Sequence, residues 1–142
     1  MDKIGSLNKN FVWLFAVAAL GLSIASGFVT SGMGGTIASA VYFGIFAVSG
    51  FLAMALTQAG TGMGVVAFLV ASLSSAAGYY FVIASATQEA TSALGANAEA
   101  TGVAGAFIGG FFAVIILIGT LVAGISGVVA GGRFRKKALA AA

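Results

Sequence analysis

The chain contains no cysteine, no histidine and no proline. Without cysteine there is neither a disulfide framework nor thiolate chemistry, and without histidine no imidazole can ligate a metal or haem. Charge is almost as scarce, with three acidic and six basic residues among 142. None of them lies between Asn10 and Gln88. A serine nucleophile needs a base within hydrogen-bond reach, and the apolar runs that hold Ser72, Ser74 and Ser75 supply none. The sequence therefore reads as that of a non-enzymatic protein.

What is present instead is apolar. Hydrophobic residues make up 61% of the chain and charged residues 6%, against about a quarter charged in a soluble domain, and the mean hydropathy is +1.15. A span of roughly 20 residues at about 1.5 Å per residue crosses a ~30 Å hydrocarbon core. Four such runs fit, and helices are the default inside lipid because each satisfies its own backbone. The expected fold is an all-α integral membrane bundle of four transmembrane helices in a single domain, with spans at about 11–31, 36–57, 63–84 and 104–130. The short glycine-rich connections after the first and second spans predict two antiparallel hairpins. A longer stretch, 85–103, reads as a loop carrying Glu89 and Glu99, and 131–142 as a basic tail.

All six basic residues sit at the two ends: Lys3, Lys9, Arg133, Arg135, Lys136 and Lys137. Inner flanks collect Lys and Arg, and an even number of spans brings both ends to one side. Both termini are thus expected in the cytoplasm, the acidic loop outside, and the location is read as a prokaryotic cytoplasmic membrane. One connection, after the second span, is expected inside yet carries no basic residue. Lys3, Lys9 and the apolar stretch behind them also resemble the start of a signal peptide. That stretch continues through Phe28 and Val29 to span length, which favours a span.

Small residues recur at four-residue spacing in every span: Ser23 and Gly27; Ala40 and Gly44; Ala67, Ala71 and Ser75; Gly105 and Gly109; Ala123, Gly127 and Gly131. Such stripes let helix backbones approach closely, within the bundle or between subunits. The tail residues Arg133, Arg135, Lys136 and Lys137 are expected to meet lipid headgroups or a partner, at about 1 kcal/mol for each cation near an anionic leaflet. Basic charge confined to the ends suits membrane lipid and gives no basis for nucleic-acid binding.

Ionisable groups inside a membrane are costly and mark proton relays and ion pathways. Their absence argues against proton-coupled transport and against a rotary-ring proteolipid, which needs a membrane carboxylate. The leading expectation is a scaffold or accessory subunit of a larger membrane complex, or a homo-oligomer. Three alternatives stand beside it: a pore former of the holin type, a subunit of a helical filament, and an accessory subunit that packs a lipid, quinone or pigment against Phe43, Phe46, Phe51, Phe107, Phe111 and Phe112. The sequence names no cofactor, and bound lipid is compatible with it.

Overall fold

The computed structural model describes residues 3–142, and among these there is no strand, only isolated bridges at Leu7 with Thr57 and Ser31 with Met33. Four helices follow one another: α1 (Phe11–Val29), α2 (Gly35–Leu56), α3 (Thr61–Ala93) and α4 (Ala98–Ala141). Each is long and apolar enough to cross a membrane. Proline-free runs rich in Ala, Leu, Phe and Val leave nothing to break them, and each stops where the chemistry changes. Thr30 closes α1, its N–H and Oγ1 both donating to the Ser26 carbonyl at 2.9 and 2.8 Å. Gly32 then supplies the positive φ of +98° for the turn into α2.

The last two helices outrun the expected spans. α3 has 33 residues and α4 has 44, about 50 and 66 Å at the α-helical rise. Hydropathy predicts the end of the third span at about 84 and a loop over 85–103. The structure instead carries α3 to Ala93 and starts α4 at Ala98. Gln88, Glu89, Thr91 and Ser92 are too polar for lipid, but polarity alone does not end a helix. What ends it is a Schellman motif, in which Gly95 at φ +87° donates to the Ser92 carbonyl at 3.0 Å and Ala96 to that of Thr91 at 3.2 Å. Asn97 starts the next helix, its Oδ1 accepting from the Ala100 N–H at 2.8 Å, with Glu99 in the first turn. The basic tail is likewise helical through Ala141.

The chain forms two compact units. One contains everything through Ser72 and resumes at Gly119, and so comprises the N-terminal segment, α1, α2, the start of α3 and the end of α4. Here α1 packs against α2, burying Val12, Ala16, Ala19 and Ser23, which recur every three or four residues along one face. α2 contributes Tyr42, Phe46, Ala53 and Met54 to the same core. Phe46 is fully buried, stacked on Tyr42 at 5.9 Å and set edge-on to Phe68 at 6.5 Å. The other unit, Leu73–Ile118, is the α3–α4 connection with the helix segments on either side of it. In both units large apolar side chains face outward, among them Phe28, Val29, Phe81 and Phe107 at 68–80% exposure.

Candidate functional site

The small-residue stripes divide sharply once their surroundings are known. On α4, a Cβ added at Gly127 would collide with the Ala47 carbonyl oxygen, and one at Gly131 with that of Phe51. At Gly50 it would lie 2.6 Å from the Gly124 carbonyl oxygen. Backbone therefore meets backbone along α2 and α4, a separation that only glycine permits. The contacts climb both helices together, with Gly119 against the Phe43 ring, then Gly127 at Ala47 and Phe51, then Gly131 at Phe51. Ala123, on the same stripe, is half-buried.

In the Leu73–Ile118 unit the register runs the other way. A Cβ at Gly105 would sit 2.6 Å from Gln88 Cγ and 2.9 Å from the Ala84 carbonyl oxygen, and one at Gly109 3.0 Å from that of Tyr80. Ala67, Ala71 and Ser75 of α3 are buried at 0, 6 and 3% exposure. The stripes of α1 and α2 differ. Nothing lies within 4 Å of a Cβ added at Gly27 or Gly44, and Ala40 is exposed. Ser23 is buried but its hydroxyl turns back on its own helix, donating to the Ala19 and Leu20 carbonyls at 2.7 and 3.0 Å.

Gly50, Gly64, Gly119 and Gly124 are close-approach positions that sequence reasoning missed. A readable signal existed for one of them, since Gly119 extends the Ala123, Gly127, Gly131 series by one further step of four. A Cβ added at Gly64 would lie 2.7 Å from the Met54 sulfur across the α2–α3 turn, a close approach with no sequence period behind it.

At the end of α2 the four basic tail residues part company. Arg135 donates to the carbonyl oxygens of Thr57 and Ala59, the latter at 3.0 Å. The N-terminal segment closes the same corner: the Gly5 N–H donates to Ala55 at 2.9 Å, the Leu7 N–H to Leu56 at 3.0 Å, and Leu7 accepts from the Gln58 N–H at 2.9 Å. The Thr57 hydroxyl donates to Ala53 at 2.6 Å. Carbonyls that a helix C-terminus leaves without intrahelical partners are thereby satisfied. Arg135 is thus engaged with backbone, whereas Arg133, Lys136 and Lys137 are exposed. Beside Arg135, Phe134 meets Phe51 at 5.4 Å.

The six phenylalanines expected to line a cofactor surface are divided between the two units. Phe43, Phe46 and Phe51 belong to one unit, and Phe107, Phe111 and Phe112 to the other. The latter three are 44–75% exposed. A shallow groove of about 540 Å³ is lined by Asn97, Glu99, Ala100, Val103, Ala104 and Phe107, all from α4 and its cap. Among the described residues no three His, Cys, Asp or Glu side chains cluster as metal ligands would. Ser72 Oγ and Thr101 Oγ1 are buried without a hydrogen-bond partner. No family model, curated protein or solved structure matches the chain.

Proposed function

We propose that this protein is a non-enzymatic integral membrane subunit, a scaffold or accessory component that packs against other membrane subunits or against copies of itself. The observation that carries the reading is the unequal use of its glycines. Gly119, Gly124, Gly127 and Gly131 of α4 are spent on close contacts within the chain, while Gly27 and Gly44 lie open on helices apolar enough to span. Open small residues on such a helix are the surface on which another helix packs closely, since lipid provides no hydrophobic drive of its own.

The topology belongs to the same proposal: two antiparallel hairpins, with both termini on the cytoplasmic side of a prokaryotic membrane. It is supported by the corner at Thr57 to Ala59, where the N-terminal segment, the α2–α3 turn and the end of α4 meet through hydrogen bonds. Those contacts bring Lys3, Lys9 and the four basic tail residues to one end. They also supply the α2–α3 turn, which has no basic residue of its own, with the charge of Arg135. By the positive-inside bias this end is the inner one.

Gentle solubilisation, capture through a tag in the 94–97 connection, and mass spectrometry of whatever copurifies test the assignment. A heteromeric membrane assembly is the expected result. A homo-oligomer alone would leave the self-assembling form, with pore formation as its first candidate activity, to be checked by dye release from vesicles. A monodisperse monomer from native membranes would overturn the proposal.

A further inference from the structure

The outcome at Arg135 bears on the rest of the tail. At about 100° per residue around an α-helix, Arg133, Lys136 and Lys137 fall within an arc of roughly 100°, and Arg135 points about 150° away from its centre. The arc side chains are exposed, and none has an ion-pair or hydrogen-bond partner among the described residues. The unit that holds them has no Asp or Glu side chain among its described residues, because Glu89 and Glu99 belong to the Leu73–Ile118 unit. Lys3 and Lys9 are exposed on the N-terminal segment that closes the same corner as Arg135.

We infer that Arg133, Lys136 and Lys137 form a docking stripe for the phosphate headgroups of anionic phospholipid, and that Arg135 takes no part in it. The inference rests on the membrane-subunit reading above. Charge complementarity selects the occupant. Three uncompensated cations share one face, the helix they stand on continues directly into an apolar span, and an anionic leaflet presents phosphates at that depth. Each cation near such a surface strengthens association about fivefold. Arg135 is held on the opposite side by two carbonyls and is not free to reach the same headgroups.

The chain carries its own probe, because Trp13 is the sole tryptophan, half-exposed near the start of α1 and close in sequence to the segment that closes this corner. The experiment reconstitutes the full chain in phosphatidylcholine vesicles doped with brominated phosphatidylglycerol or with brominated phosphatidylcholine, and compares quenching of Trp13. Brominated phosphatidylglycerol should quench more strongly at low salt. The excess should vanish near 1 M salt, where the screening length falls to about 3 Å. It should also fall sharply in R133Q/K136Q/K137Q, to a remainder carried by Lys3 and Lys9, while surviving in full in R135Q, and circular dichroism reports whether each variant keeps its helices. Native mass spectrometry counting bound phosphatidylglycerol on the unaltered chain is a second readout that needs no variant. Equal quenching by the two lipids, or an excess unchanged in the triple variant, overturns the inference. So would an acidic protein retained through these three residues in place of lipid. Absence of quenching by either lipid would instead count against the membrane reading itself.

Discussion

The two units solve the same packing problem with different materials. In the unit built on α1 and α2, α4 lies against α2 with nothing between the backbones at Gly127 and Gly131. In the Leu73–Ile118 unit, the nearest atom to a Cβ at Gly105 is Gln88 Cγ, on a flexible side chain at 2.6 Å, with the Ala84 carbonyl oxygen next at 2.9 Å. A clash with a carbonyl has to move a helix, while a clash with a glutamine moves a rotamer. The first unit is therefore the more brittle, and its polar corner at Thr57 to Ala59 is the more specific. The lesson is that identical spacing of small residues leads to different mechanical outcomes, decided by what stands opposite.

That contrast can be broken by substitution. G127A should be the most damaging, lowering stability by about 3 kcal/mol or more, the upper end of what overpacking costs, read from unfolding in mixed detergent micelles. A loss under about 0.5 kcal/mol, within the range of ordinary surface changes, would mean α2 and α4 are not in backbone contact. R135Q should cost about 1.5–3 kcal/mol, the range for hydrogen bonds to charged groups, and R135K should recover only part of it because a single ammonium replaces a fork of donors. G105A should cost about 1 kcal/mol, less than G127A, and Q88A should relieve part of it, the Ala84 carbonyl oxygen accounting for the rest. A double-mutant cycle between 88 and 105 measures that coupling, and additivity would show that Gln88 is not the obstacle. G27A and G44A should change the monomer's stability by less than about 0.5 kcal/mol while weakening association with other subunits, as read by crosslinking in native membranes. A large loss in the isolated chain would show that these glycines are internal after all.

Much of the fold could be read from the residues. The four apolar runs are unambiguous because no charge interrupts them, and α1 and α2 lie within two residues of their expected bounds. The ends of α3 and α4 were not readable by hydropathy, which reports where lipid stops and not where the helix does. The punctuation Gly95-Ala96-Asn97 followed by Glu99 was available and is the better guide, since a positive-φ glycine and a capping asparagine act on the backbone itself. The packing stripes were half readable. Spacing finds Gly127 and Gly27 equally well, but nothing in a single helix says which of them another backbone will approach. The division between Arg135 and its basic neighbours was hidden for the same reason. It depends on carbonyls that lie 76 and 78 residues away in the chain.

That separation also sets a schedule. With synthesis at about 5–20 residues per second, Arg135 is made roughly 4 to 16 seconds after Thr57. Gly5 and Leu7 are already present when the turn after α2 emerges, so their half of the corner can close early. The Thr57 and Ala59 carbonyls must wait, bonded to water, until the last helix is nearly finished. Closure of this corner accordingly follows synthesis of all four apolar helices, and a chain stopped just short of Arg135 would carry nearly all of them and still lack the bond that ties α4 to the end of α2.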